Sequence, residues 1–255
     1  MTLEACADMV RRGDPDRFRA AMAASPVARA VLLPIYAFNL EVARAPWLTQ
    51  EALIAEMRLQ WWRDALEEIA SGAPVRRHEV TVPLAGVLPP DAARLLDGLV
   101  AARRWDIYRE SFADAASFDA HIEATSGHLM WAAVRALGVG EGEAVVRDFA
   151  FATGVANWLR AVPELASRGC LPLVDDRAEA VAALSRRALA RLHRARRARA
   201  QVPPTAAPAL LAGWGSEAVL KAAAADPARV ANGTLAPAEF IRRGGLILRS
   251  LSGRW

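Results

Sequence analysis

Carboxylates that recur at helical spacing are where a cation or a general acid could be held, and one such run is Asp106, Glu110 and Asp114. Side chains at i and i+4 share a helix face, so this trio offers a weak metal site. The competing reading is a solvated polar face or a helix end ahead of a cap at Ser117. His121, Thr125 and His128 also fall on one stripe. With no third strong ligand near them in sequence, packed or surface histidines are expected rather than a zinc site. No serine or cysteine sits in a nucleophile elbow, and no glycine-rich phosphate loop follows a strand. Cys6 and Cys170 are too few for a disulfide framework or a four-cysteine zinc site. Cys170, beside Leu171-Pro172, reads as a packing or loop residue.

The densest charge is basic. From Arg186 to Arg199 there are seven arginines and His193, while Val181, Leu184, Ala188, Leu192 and Ala195 form an apolar stripe. This pattern predicts a helix docked by its apolar side with a strongly cationic outer face. Such a face attracts anionic lipid headgroups at roughly 1 kcal/mol per basic residue, screened by salt, unless it is simply solvated.

The elements that must position these groups are helices almost throughout, which predicts an all-α fold. Alanine and leucine dominate, and no stretch alternates apolar and polar residues long enough for a sheet. The first helix is expected to start at Asp14-Pro15-Asp16, a cap followed by a proline where a helix tolerates one. Helices are predicted over 27–45, with a bend at Pro34, and over 50–70, with Ile54, Met57, Trp61, Ala65 and Ile69 on a buried stripe. Residues 75–90 read as a loop with a short helix. Asp91 is expected to cap a helix running to about Trp105, and Ser117 to open one whose inward face is Phe118, Ile122, Thr125, Leu129 and Ala133, closed by Gly138. A helix over 141–162 should end at Pro163. The arginine-rich helix, two short ones and a last helix over 237–251 follow. Gly244-Gly245 inside that last helix suggests close packing or a kink, because each glycine costs about 1 kcal/mol there. The apolar side chains Phe240, Ile241, Leu246, Ile247, Leu248, Leu251 and Trp255 are expected to pack on the domain or touch a membrane. With short loops and no repeat, one domain over 1–255 is the simplest organisation.

Composition narrows the classes. Apolar residues make up 54% and charged residues 24% of 255, an ordinary folded chain. The net charge is +4 and the pI about 9.8, yet no nucleic-acid-binding module accompanies it, so nucleic acid is not an expected partner. Residues 1–16 carry both charge signs and no apolar core of a signal peptide. The longest apolar run, 30–38, is far short of the roughly 20 residues that span a bilayer. A cytoplasmic protein is the expectation.

Two stretches, in order and on predicted helices, carry a family resemblance. The first is Ser25-Pro26-Val27-Ala28-Arg29 with Pro34-Ile35-Tyr36-Ala37-Phe38-Asn39-Leu40-Glu41-Val42-Ala43-Arg44, followed by Glu56-Met57-Arg58-Leu59-Gln60-Trp61-Trp62-Arg63-Asp64. The second is Asn157-Trp158-Leu159-Arg160 with the later Leu171-Pro172. From about Phe18 to Val174 the chain resembles the squalene/phytoene synthase family. The resemblance implies a single isoprenoid-synthase-like helical domain with a central cavity, in which family members condense two prenyl diphosphates. It makes Arg29, Tyr36, Phe38, Asn39, Glu41, Arg44, Arg58, Trp61, Asn157, Trp158 and Arg160 the candidates for cavity lining or ligand binding. Family members hold Mg²⁺ with aspartate-rich motifs on two facing helices. A diphosphate departs into an apolar cavity only if hard cations held by carboxylates neutralise it.

The chain departs from that pattern at the acids. The first cluster should fall near Ala43, Arg44 and Trp47 and the second near Ala161 and Leu165, and no aspartate or glutamate stands at these positions. Glu41 and Glu164 are the nearby carboxylates, and Arg44 adds a cation where Mg²⁺ needs anions. These substitutions resemble a branch that includes the mitochondrial complex I assembly factor of synthase fold and its proteobacterial relatives. That resemblance implies a catalytically silent protein with no catalytic residues, no resident metal and no cofactor, which assists assembly of respiratory complex I. Its implied partners are complex I subunits or assembly intermediates, an isoprenoid or other lipid, and the inner face of the cytoplasmic membrane met through the arginine-rich helix. The alternatives are an active Mg²⁺-dependent prenyltransferase and a peripheral lipid-binding protein unrelated to respiration.

Overall fold

The computed structural model describes residues 2–236 and 239–255, and of 239–243 and 251 the backbone only. Among the described residues there are helices and no strand. In chain order they are α1 (Leu3–Gly13), α2 (Pro15–Met22), α3 (Pro26–Arg44), α4 (Ala52–Ser71), α5 (Thr81–Ala85), α6 (Pro90–Ala102), α7 (Trp105–Tyr108) and α8 (Ala115–Ile122). After a π-helical turn at Glu123–Gly127 come α9 (His128–Ala136), α10 (Glu143–Ser167), α11 (Ala178–Arg197), α12 (Ala207–Leu210), α13 (Ser216–Ala225), α14 (Ala228–Ala231) and α15 (Glu239–Ser252).

The chain gathers into two compact units. Unit 1 comprises Met1–Tyr108, His128–Gly140 and Pro204–Ala212, and unit 2 comprises Arg109–Gly127, Glu141–Pro203 and Gly213–Trp255. Unit 1 is built around α3, whose Leu32, Leu33, Ile35, Tyr36, Ala37 and Phe38 are all buried. A helix buried on every side is apolar on every side. With the turn that follows it, α3 is long and apolar enough to cross a membrane by length alone, but 56% of that apolar window is buried in the protein. Unit 2 is built around α10, where Phe149, Phe151, Val155 and Leu159 are fully buried, with Leu192 of α11 and Leu220 of α13. Each such side chain removed from water contributes about 1.5–3 kcal/mol before conformational entropy is counted.

Local chemistry explains most boundaries. Asp14 accepts a hydrogen bond from the Arg17 amide at 2.9 Å and starts α2, with Pro15 in its first turn. A further helix, α1, precedes it. Gly72, at φ 72°, ends α4 in the left-handed region that favours glycine. Asp114, not Ser117, caps α8: it accepts from the Ser117 amide at 2.7 Å while the Asp114 amide donates back to the Ser117 hydroxyl at 3.1 Å. The expected inward face of Phe118, Ile122, Thr125, Leu129 and Ala133 is buried, although the π-helical turn divides it between α8 and α9. Asp91 lies inside the first turn of α6 rather than before it, paired with Arg135 at 2.7 Å, and that helix stops at Ala102.

Three expectations are corrected. Pro163 lies inside α10, which continues to Ser167: the Arg168 amide donates to the Glu164 carbonyl at 3.2 Å and the Cys170 amide to the Leu165 carbonyl at 3.0 Å, closing the last turn beyond the proline, and Glu164 pairs with Arg168. On α4 the buried stripe is Ala55, Leu59, Trp62, Leu66 and Ile69, with Ala65 between, while Ile54 and Met57 are exposed. The helix carries two apolar stripes, and unit 1 covers the other one. At Gly244 and Gly245 a Cβ would meet nothing within 4 Å, so neither is required by close packing. Of the apolar residues expected on the last helix, Leu246 is buried, and Ile247 and Leu248 are exposed. The Phe240, Ile241 and Leu251 side chains, and Pro237, lie outside the described residues.

Candidate functional site

The first signature lies on α3 and α4 in unit 1. Arg29 donates to the carbonyls of Met22 at 2.9 Å and Ala24 at 3.2 Å, closing the turn between α2 and α3. The Tyr36 hydroxyl is buried without a hydrogen-bond partner among the described residues, and the Arg17 guanidinium lies 5.8 Å from its ring. Burial pushes the Tyr36 phenol far above its ordinary value, and Arg17 offsets only part of this. Phe38 is fully buried and packs edge-on against Trp62 at 5.4 Å, and Asn39 is buried beside it in sequence. Trp61 stacks edge-on with Trp62 at 4.9 Å and His78 at 5.3 Å, under the Arg76 guanidinium at 5.1 Å. Arg58 is exposed. At the end of α3, Glu41 faces Arg44 at 3.7 Å.

The second signature lies on α10 in unit 2. Asn157 and Arg160 are exposed, and Trp158 is buried between them. The Trp158 indole N–H donates to the Pro172 carbonyl at 2.7 Å, which ties Leu171-Pro172 to the helix. Its ring packs against His121 at 5.1 Å and against Phe112 and Phe118, each at 5.8 Å. One helical turn on, Glu164 is held by Arg168 at 2.5 Å.

The carboxylate run at Asp106 does not form one face, which corrects that expectation. Asp106 is buried in α7 of unit 1 and pairs with Arg103 at 3.3 Å. Arg109, at φ 56°, turns the chain out of the helix; Glu110 follows outside any helix, and Asp114 is spent capping α8. Among the described residues no three His, Cys, Asp or Glu side chains come together. The π-helical turn breaks the His121–His128 stripe as well: His121 packs on Trp158, and His128 lies against Gly98.

The cationic face of α11 is largely neutralised within unit 2, another correction. Arg187 pairs with Asp119, Arg191 with Glu123 at 2.6 Å and Asp148 at 2.8 Å, and Arg194 with Asp148 at 2.5 Å. Arg196 pairs with Glu217 and donates to the Trp255 carbonyl at 3.1 Å. Burial opposes the charge on Glu217, but hydrogen bonds from Lys221 and Arg196 overcome it and hold the carboxyl at about 2. Asp148 is likewise held below its ordinary value by Arg194 and Arg191, against the effect of burial. Arg186, Arg197 and Arg199 remain exposed with no acidic partner among the described residues. The pairing acids were not singled out from sequence. Asp119 and Glu123 stand four apart, as Arg187 and Arg191 do, a match that means something only once α8 is known to lie against α11.

A cleft of about 300 Å³ lies in unit 1 between α4 and α6. Gln60, Arg63, Asp64, Glu67, Arg94 and Asp97 line it, and the Arg63 guanidinium grips Asp97 through two bonds of 2.7 and 3.0 Å. Its charged walls suit a small polar molecule better than a prenyl chain.

With the two signatures placed on buried helices, the whole stretch that contains them can be compared with known proteins. Residues 10–177 match the family model for squalene/phytoene synthase. The chain belongs to the squalene/phytoene synthase family. Its structure is similar to that of a dehydrosqualene synthase solved with a ligand, with a TM-score of 0.77 and 13% identity over 98% of this chain and 95% of that one. It is also similar to the squalene synthase HpnC from Alicyclobacillus acidocaldarius, with a TM-score of 0.71 and 17% identity over 87% of this chain and 92% of that one. At these identities the likeness establishes the all-α isoprenoid synthase fold. Among curated proteins the chain is similar to NADH dehydrogenase (ubiquinone) complex I, assembly factor 6, of Bos taurus and of Homo sapiens, at 23% identity over 177 residues in each case. The match covers 64% of this chain and 50% of those, so the chain spans about half the length of the curated relatives it matches.

Proposed function

We propose that this member of the squalene/phytoene synthase family does not condense prenyl diphosphates and instead assists assembly of respiratory complex I. The observation that carries this reading is the fate of the carboxylates. Ala43, Arg44, Trp47, Ala161 and Leu165 occupy the places where the family resemblance calls for acids. The two glutamates beside them are each held by an arginine about one turn further along the chain, Glu41 by Arg44 and Glu164 by Arg168. A Mg²⁺–diphosphate cluster needs several unpaired carboxylates converging on it, and an arginine 3.7 Å from Glu41 and another 2.5 Å from Glu164 work against that. The similarity to complex I assembly factor 6 supports complex I subunits or assembly intermediates as partners.

The reading includes a cytoplasmic location with peripheral contact to the membrane, made through Arg186, Arg197 and Arg199 of the α11 region, and an isoprenoid or other lipid as ligand. The test is twofold. Purified protein given farnesyl or geranylgeranyl diphosphate with Mg²⁺ should show no turnover, and a deletion strain should accumulate incomplete complex I. Turnover, or normal complex I in the deletion strain, overturns the proposal.

A further inference from the structure

The first half of α4 leaves an apolar stripe uncovered. Leu53 is 73%, Met57 64% and Ile54 36% exposed, and Leu48, on the turn before the helix, is 52% exposed. Single exposed leucines are ordinary, but Leu53, Ile54 and Met57 fall within about 100° of one another round α4 and so share a face of the kind that marks an interface.

The charges around this stripe distinguish between possible occupants. Glu51, at the N-cap of α4, and Arg58 are both exposed, and neither has an ionic partner among the described residues. Nearby on the same helix, Glu56 pairs with Arg104 at 2.7 Å, Arg63 with Asp97 at 2.7 Å and Glu68 with Arg76 at 2.6 Å, while the exposed Glu67 lies further along. At 100° per residue, Glu51 and Arg58 lie on the same edge of the helix, two turns apart, with Ile54 between them and Met57 and Leu53 further round the face. An acid and a base on one edge, at the two ends of an apolar stripe, are complementary to their own antiparallel image. A two-fold axis perpendicular to the helix keeps the edge and exchanges its ends, bringing Glu51 opposite Arg58 and Arg58 opposite Glu51. An anionic membrane would gain nothing from this balanced pair.

We propose that the first half of α4 is an isologous dimer interface, in which Leu53, Ile54 and Met57 pack on the same residues of a second copy and Glu51 pairs with Arg58 across the two-fold axis.

Sedimentation of the full chain over a range of concentrations tests it, with a charge-exchange series. The wild type should form a concentration-dependent dimer. Glu51→Arg or Arg58→Glu alone places like charges opposite each other at both ends and should weaken the dimer about tenfold or more. The double variant restores opposite charges and should recover most of the wild-type association. Met57→Glu should leave only monomer with an unchanged far-UV spectrum. A wild type that stays monomeric, or a double variant no tighter than the singles, overturns the proposal. So does wild-type monomer that binds phosphatidylcholine–phosphatidylglycerol vesicles and loses them with Met57→Glu, which would make the face a membrane contact.

Discussion

Glu41 and Arg44 stand one turn apart at the end of α3, carboxylate to guanidinium at 3.7 Å. The pair is surface-placed, with the Arg44 side chain 61% exposed. Exposed pairs of this kind contribute roughly 0–1 kcal/mol. Glu41→Gln should therefore shift stability by less than about 0.5 kcal/mol in urea unfolding, and Glu164→Gln likewise. If either variant lost complex I assembly in a complemented deletion strain, that glutamate would have a role beyond its arginine.

Asp148 joins α10 to α11 by accepting from both Arg191 and Arg194. Its side chain is 15% exposed, so removing it strands the half-buried Arg191 beside Glu123 alone. Asp148→Ala is expected to cost about 2–3 kcal/mol in chemical unfolding, more than loss of a surface pair.

Acid should loosen the same unit. Glu217 titrates at about 2 in the folded protein against an ordinary 4.5, and Asp148 is lowered too. A depressed carboxylate stabilises the fold above its unfolded value, and that stabilisation is lost as pH falls toward the folded one. Thermal unfolding should hold steady above about pH 5 and fall progressively from about 4.5 toward 2. Glu217→Gln should lower the plateau and flatten part of that slope.

Gly154 lies where α10 crosses the π-helical turn, and a Cβ there would sit 2.7 Å from both Ile122 Cγ2 and Ser126 Cβ. Alanine is normally the better helix residue, but here it should destabilise by about 1–3 kcal/mol through overpacking. Gly244→Ala in α15 is the control. Its Cβ would meet nothing within 4 Å, so it should stabilise by up to about 1 kcal/mol in the same assay.

Trp158→Phe keeps the apolar contact with Phe112, Phe118 and His121 but removes the donor to Pro172. A loss of about 1–2 kcal/mol is expected, with faster proteolysis around Leu171 as the local signature.

The all-α class and the helical placement of the two signatures are legible in the sequence, because both depend on local signals. Asp14-Pro15 caps a helix wherever it occurs, and the turn residues at Gly72 and Gly138 punctuate the chain without help from distant parts. Sequence and structure part where more than local chemistry decides. Pro163 signals a stop by its own chemistry, and only the turn bonds of the Arg168 and Cys170 amides beyond it show that α10 continues to Ser167. Either apolar stripe of α4 satisfies the helical period, and only tertiary packing, with α6 and with Phe38 and His78 against Trp62, selects Leu59 and Trp62 over Met57. Arginines at 187, 191 and 194 looked like an open cationic face because their partners stand tens of residues away in sequence.

Neither compact unit is a continuous piece of chain: the backbone leaves one for the other after Tyr108, Gly127, Gly140, Pro203 and Ala212. During synthesis on the ribosome, α3 and its neighbours emerge first but still lack α9, and the short α12 segment that also belongs with them is made far later. The part of the chain that carries the family match, ending at residue 177, would release both units unfinished if translated alone. Completion of unit 1 therefore waits on Pro204–Ala212, and unit 2 on Gly213 and the residues after it.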